Sequence, residues 1–155
     1  MQDTLENITR RPWSRVRDPS RKRSRPGSGG RATGESPSVL VVEHRAPLRQ
    51  MMTRLLEGAG MQVSALDDGR AALDWLHDSP EPDLLLLDWA LPLIRDDALI
   101  DWIRDDARWD DMPVIAVLDS LDGVEVVHAL GCGVDACVAS PFDPAWLVEV
   151  VVRYL

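Results

Sequence analysis

The feature that most limits how this chain can fold is the regular alternation of short apolar runs with amphipathic stretches. Each run of aliphatic and β-branched residues indicates a strand, and each following stretch carries apolar residues at helical spacing. The predicted strands are residues 39–42, 61–65, 84–87, 114–118 and 134–139, and the predicted helices start at about residues 47, 70, 97, 123 and 144. On two of these helices, Trp75 and Trp146 fall on the predicted inner face.

Strands this apolar favour burial on both faces, which is typical of a parallel sheet covered by helices on either side. With right-handed crossovers, the sequence predicts a doubly wound α/β domain. In such sheets the functional site lies beyond the carboxyl ends of the strands, where the strand order reverses. Glu43 and His44 directly follow the first strand and Asp88 follows the third, so we expect these side chains to meet at that edge.

The first 37 residues differ from the rest in composition and charge. Residues 1–37 contain nine Arg and Lys against four Asp and Glu, a net charge of +5, whereas residues 38–155 contain 8 basic and 22 acidic residues, a net charge of −14. Arg, Ser, Pro and Gly dominate from residue 10 onward and leave little to bury. We expect a disordered basic N-terminal tail over 1–37, acting as an electrostatic arm or simply as a solvated tail, and one domain over 38–155.

The composition also argues against several classes of protein. An acidic domain repels a nucleic acid backbone, so nucleic acid is not the expected partner, and any such contact would have to be made by the basic tail. Two cysteines are too few for a disulfide framework and the chain opens without a secretory leader, which favours a cytoplasmic location. The longest apolar runs are far shorter than the roughly 20 residues that span a bilayer, so no membrane contact is expected.

Several segments, in order, resemble the receiver domains of two-component response regulators of the chemotaxis-regulator-like kind. The segments are VLVVEHRAPLRQMMTRLLEGAG, DLLLLDWALP, MPVIAV and SPFDP, the last being similar to a Lys-Pro-Phe-Asp-Pro sequence of that family. The resemblance covers residues 38–155. It implies a flavodoxin-like receiver fold with strand order 2-1-3-4-5, and a signalling module of a phosphorelay rather than an enzyme.

The resemblance further assigns the family's phosphorylation site to positions of this sequence. Asp88 takes the phosphoacceptor position. The acidic pair that holds Mg²⁺ in the family is represented by Glu43 and His44, so one carboxylate is replaced by an imidazole. The remaining departures are Leu118 at the Thr/Ser switch position, Ser140 at the Lys position and Cys137 at the switch-aromatic position.

These departures predict weakened phosphorylation chemistry. Imidazole is a poor ligand for Mg²⁺, so Glu43 and Asp88 would hold the metal weakly if at all, and no other cofactor is expected. Ser140 brings no positive charge to a phosphoryl group. Glu43 and Asp88 with a neutral His44 sum to −2, as do three carboxylates with one Lys. A protonated His44 would bring the sum to −1, which favours a locked, metal-free pocket.

The leading hypothesis is a stand-alone atypical receiver that acts through protein contacts, with phosphorylation at Asp88 weak or absent. The alternative is a working phosphoacceptor that takes phosphate from a histidine kinase onto Asp88 with Mg²⁺. The expected partner is a histidine kinase or phosphotransfer protein. By analogy with the family, a homodimer would form through the fourth helix, the fifth strand and the fifth helix. Because the chain ends at Leu155, directly after the last predicted helix, we expect no effector domain.

Overall fold

The structure, a computed structural model, describes residues 34–91 and 96–155. Most of the predicted basic tail, residues 1–33, lies outside the described residues, so its disorder stays a prediction. From residue 38 onward the described chain is built of alternating strands and helices.

The described strands form one five-stranded sheet in the order β2-β1-β3-β4-β5, and every neighbouring pair is parallel. The doubly wound fold and its strand order are therefore confirmed. None of the described helices is long and apolar enough to cross a membrane. The strands are β1 (Ser38–Val42), β2 (Gln62–Leu66), β3 (Leu84–Asp88), β4 (Val114–Leu118) and β5 (Ala136–Ala139), and the helices are α1 (Ala46–Gly58), α2 (Gly69–Asp78), α3 (Asp96–Asp105), α4 (Gly123–Cys132) and α5 (Pro144–Tyr154), with a short 3-10 helix at Ala107–Trp109.

Each face of the sheet carries its own buried cluster, which explains why the strands read as continuous apolar runs. Along β1, Leu40 and Val42 point into one cluster while Val39 and Val41 point into the other. The first cluster is closed by α2, α3 and α4, and the second by α1 and α5. With both faces covered, the loops at the ends of the strands are the places where polar groups can gather.

The region between α4 and β5 differs from the sequence prediction. We expected a helix over 123–130 and a strand over 134–139, but α4 continues to Cys132 and β5 starts only at Ala136. Gly133, with φ +110°, ends the helix in the left-handed conformation. The backbone N–H of Val134 then donates to the carbonyl of Ala129 at 3.3 Å, so Val134 belongs to the helix cap rather than to the strand.

The predicted burial of the two tryptophans is right for one and wrong for the other. Trp75 is partly buried and packs against the core, whereas Trp146 is 40% exposed. On α5 the buried positions are Leu147, Val150 and Val151. Because successive helical residues are rotated by about 100°, Trp146 lies beside this buried stripe, toward solvent.

A buried ion pair ties α3, β4 and β5 together at the amino edge of the sheet. The side chains of Arg104 and Asp135 are 8% and 2% exposed, and Nη2 of Arg104 lies 3.1 Å from Oδ2 of Asp135. Arg104 also donates to the carbonyls of Gly133 at 3.1 Å and Met112 at 2.9 Å, while Oδ2 of Asp135 accepts from the backbone N–H of Val114 at 2.8 Å. The candidate site lies at the opposite edge.

Candidate functional site

Two buried carboxylates meet at the carboxyl edge of the sheet. β1 and β3 are neighbours, with Val42 opposite Leu87, so Glu43 and Asp88 leave the sheet side by side. Both residues are buried, with exposures of 0% and 1%. Because both carboxylates are buried, the protein itself has to supply the hydrogen-bond donors or the positive charge that an ionised carboxylate requires.

His44 is the side-chain partner of Asp88. Its Nδ1 hydrogen-bonds directly to Oδ2 of Asp88, and it lies 3.5 Å from Oε1 of Glu43. The other Asp88 oxygen, Oδ1, accepts from the backbone N–H of Ala90 at 2.9 Å. The imidazole thus lies between the two carboxylates, and both Asp88 oxygens have a partner from the chain itself.

Arg45 is the partner of Glu43, and the sequence analysis missed it. Nε of Arg45 donates to Oε1 of Glu43 at 3.0 Å, Nη2 donates to Oε2 at 3.4 Å, and the backbone N–H of Arg45 donates to Oε1 at 2.9 Å. Nη1 of Arg45 reaches Asp119, directly after β4, at 3.1 Å. The hydrogen bond with Glu43, reinforced by the negative charges of Glu43, Asp119 and Asp88, raises the pKa of Arg45 above its usual value.

A second arginine holds the backbone of the same loop. Nη1 of Arg49 donates to the carbonyl oxygens of Glu43 at 2.9 Å and His44 at 3.4 Å. Helix α1, which follows this loop, begins without a side-chain cap and has Pro47 in its first turn. Arg45 supplies the guanidinium at the carboxylates, whereas Arg49 donates to backbone carbonyls of the loop.

The other predicted positions lie on β4 and β5, away from direct contact with Asp88. Leu118 ends β4 and is 1% exposed, inside the core. Ser140 directly follows β5 and its backbone N–H donates to the carbonyl of Leu118 at 2.7 Å. Within the described residues, the side chain of Ser140 makes no hydrogen bond to Asp88. Cys137 lies inside β5, where burial raises the pKa of its thiol to about 11.

Trp89 connects the acceptor position to α4. It is 8% exposed, and its backbone N–H donates to the carbonyl of Val117 on β4 at 2.8 Å. Its indole meets the ring of His128 edge to face, with 5.8 Å between the ring centroids. The residue after Asp88 is therefore packed into the core beneath α4.

The net charge of the site differs from the value counted on the sequence. With His44 neutral, Glu43 and Asp88 contribute −2 and the guanidinium of Arg45 contributes +1, so the two buried carboxylates and their partners sum to −1; the 66% exposed Asp119, which also contacts Arg45, is not part of this sum. The sequence count omitted Arg45. The site therefore contains a positive charge from Arg45, although Ser140 stands at the position predicted to correspond to the family's Lys.

The residues present do not fit a Mg²⁺ ion in its preferred coordination. In the described part of the chain, one group of His, Cys, Asp or Glu side chains could converge on a metal, namely Glu43, His44 and Asp88, with ligand atoms within 4.8 Å of one another. One ligand is an imidazole, whereas Mg²⁺ requires oxygen in octahedral geometry. Both oxygens of Glu43 already accept from a guanidinium, which also repels a divalent cation.

A comparison with models of protein families settles the family. The model described as "Response regulator receiver domain" matches residues 39–152. The chain belongs to the response regulator receiver family. It is thus a receiver module of two-component signal transduction, as the resemblance of its segments predicts.

Curated relatives agree with this assignment. The chain is 36% identical over 110 residues to the "Phosphate regulon transcriptional regulatory protein PhoB" of Klebsiella pneumoniae, covering 71% of this chain and 48% of that protein. It is 34% identical over 113 residues to the "DNA-binding response regulator MtrA" of Mycobacterium tuberculosis, covering 73% of this chain and 48% of that one. The chain spans about half the length of these relatives.

Solved structures show the same fold. The chemotaxis response regulator CheY4 of Vibrio cholerae superimposes with a TM-score of 0.74 at 22% identity, over 78% of this chain and 100% of that one. The signal receiver domain of a signal transduction histidine kinase from Syntrophus aciditrophicus superimposes with a TM-score of 0.71 at 28% identity, over 77% of this chain and 90% of that one.

Removal of the imidazole should destabilise the domain. In His44→Ala the buried Asp88 loses its side-chain partner, so we expect the free energy of unfolding to fall by about 2 kcal/mol in urea denaturation. The control is His77→Ala, since that side chain is 73% exposed and its ion-pair partner is its exposed neighbour Asp78. An equal loss in the two variants would show that His44 does not stabilise the buried carboxylate.

Proposed function

We propose that this domain is an atypical receiver that signals through protein contacts, with phosphorylation of Asp88 weak or absent. The observation that carries the proposal is that both buried carboxylates are already occupied by side chains of the same loop. His44 hydrogen-bonds to Asp88, and Arg45 covers both oxygens of Glu43. This arrangement supports a pocket that is locked without metal.

Phosphorylation of Asp88 would have to displace these partners. A carboxylate attacks phosphorus through an oxygen lone pair, and Oδ2 of Asp88 is engaged by the imidazole. The arriving phosphoryl group carries negative charge and needs positive groups or donors around it. Leu118 has no donor and the hydroxyl of Ser140 has no charge. In the described region, the guanidinium that contacts the site is that of Arg45, which is already held by Glu43 and Asp119.

A working phosphoacceptor is the second candidate, and the position of Asp88 favours it. Asp88 ends β3 next to Glu43, at the strand end where the family places its acceptor. The possible ligand atoms of Glu43, His44 and Asp88 lie within 4.8 Å of one another. In this case a histidine kinase would supply the phosphoryl group, Glu43 and Asp88 would hold Mg²⁺, and Arg45 would have to release Glu43. The two candidates differ in one measurable property, which is covalent modification at Asp88.

Treatment with a small phosphodonor and Mg²⁺, followed by intact-mass measurement, separates the two functions. We expect no gain of a phosphoryl group under conditions that label a receiver with a complete acidic pair and Lys in the same tube. Asp88→Asn controls for modification elsewhere on the chain. A mass gain in the unmodified protein that matches that of the complete receiver and disappears in Asp88→Asn would establish the working phosphoacceptor and overturn our proposal.

For the protein contact we propose the face made by α4, β5 and α5, with a second copy of the chain as the occupant. The two helices of this face carry exposed apolar side chains, which supports a protein contact there. On α4, Val124 is 81% exposed and Leu130 is 45% exposed; on α5, Trp146 is 40% exposed. The alternative partner is a histidine kinase or phosphotransfer protein, the kinds of protein with which receiver domains interact.

Sedimentation velocity over a range of concentrations tests the homodimer. We expect the unmodified chain to self-associate and Val124→Asp to remain monomeric, because burying an unpaired charge in an apolar contact is costly. The matched control is Met51→Asp on α1, whose side chain is 38% exposed. A monomer at every concentration, or an equal effect of both substitutions, would contradict the dimer through this face.

A further inference from the structure

We propose that the guanidinium of Arg45 is the built-in cation of this site, and that it keeps divalent metal ions away from Glu43. The idea rests on the proposed function, because it explains how the pocket is held in a metal-free state. It goes further by assigning that role to one side chain, which lies outside the positions that carry the family's chemistry.

The contacts of Glu43 leave little of its carboxylate for a metal. The side chain is 0% exposed, Oε1 accepts from Nε of Arg45 at 3.0 Å, and Oε2 accepts from Nη2 at 3.4 Å. A guanidinium that meets a carboxylate with two donors matches its geometry closely and carries a permanent positive charge. To reach Glu43, a metal ion must therefore break an ion pair in which the carboxylate is buried and the guanidinium is 37% exposed, and it must overcome repulsion from that positive charge.

Asp119 keeps this cation in position from the other side. Nη1 of Arg45 lies 3.1 Å from Oδ1 of Asp119, so the guanidinium bridges the loop after β1 and the loop after β4. Asp119 is 66% exposed, and a solvated contact of this kind contributes less than the buried one. Asp119 should therefore strengthen the exclusion of metal only in part.

Arg49 provides a matched control within the same loop. It carries the same charge, but it donates to the backbone carbonyls of Glu43 and His44 and not to either carboxylate. Arg45→Ala and Arg49→Ala therefore remove equal charge near the site, and only Arg45→Ala uncovers the oxygens of Glu43. A difference between these two variants isolates the carboxylate contact from the general electrostatic field.

Mn²⁺ is the appropriate probe for this comparison. Carboxylate ligands suit it, and it tolerates the imidazole of His44 better than Mg²⁺ does. It is also paramagnetic, so an ion bound at the site broadens the NMR signal of the Trp89 backbone amide, adjacent to Asp88. Ions on the acidic outer surface would broaden other signals to the same extent in every variant.

We expect Arg45→Ala to bind Mn²⁺ at the Trp89 amide with about tenfold or higher affinity relative to the unmodified chain, a gain of about 1.4 kcal/mol. Arg49→Ala should change that affinity by less than about threefold, as expected of a charge that does not contact the ligands. Asp119→Asn should fall between the two. Because Asp119 is exposed, this variant keeps the test decisive should Arg45→Ala fold poorly. Equal gains in Arg45→Ala and Arg49→Ala, or no gain in Arg45→Ala and Asp119→Asn, would overturn the proposal.

The outcome is independent of the phosphorylation measurement. A chain that resists the phosphodonor while Arg45→Ala gains no affinity for Mn²⁺ would refute the built-in cation and leave the proposed function standing. A chain that is phosphorylated at Asp88 while Arg45→Ala binds Mn²⁺ more tightly would refute the proposed function and leave the built-in cation standing.

Discussion

A carboxylate with no exposed surface, such as that of Glu43, cannot remain ionised unless the protein supplies what water would have given. In this structure the guanidinium and the backbone N–H of Arg45 both donate hydrogen bonds to the carboxylate of Glu43. The pair fixes the loop between β1 and α1, and that loop in turn carries His44 to Asp88. The arrangement of this loop therefore rests in large part on one ion pair between residues two positions apart, in which the carboxylate is fully buried.

The scaffold of the receiver family and its chemistry make separate physical demands on the sequence. The scaffold needs central strands that are apolar on both faces and helices with one apolar stripe, and β1, β3, β4 and the helices packed on them meet these requirements. The chemistry needs a few charges of the right sign at the strand ends. A few substitutions at those ends, such as the imidazole at His44 and the hydroxyl at Ser140, can therefore alter the site while the fold remains that of its relatives.

The sequence predicted most of the fold because β4 and α5 are bounded by clear signals. Pro113 and Pro144 mark their starts, and the apolar runs between have the correct length and period. The prediction from the sequence failed at the start of β5. Val134 is buried like a strand residue, but its backbone belongs to the cap of α4. It failed again at Trp146, because a helical wheel allows two neighbouring apolar residues to face inward and only packing decides between them.

Within the candidate site, the sequence could place Glu43, His44 and Asp88 at one edge because parallel strands end together. It could not find Arg45, since the reach of a long side chain depends on how the loop turns. A basic residue directly after the acidic pair was the available signal.

The most direct test of the central claim is a crystal structure of the chain grown in saturating Mg²⁺. Our account predicts Arg45 on both oxygens of Glu43 and His44 on Asp88, with no ion between the carboxylates. A Mg²⁺ ion coordinated by Glu43 and Asp88 at ordinary octahedral distances, with Arg45 displaced, would contradict it.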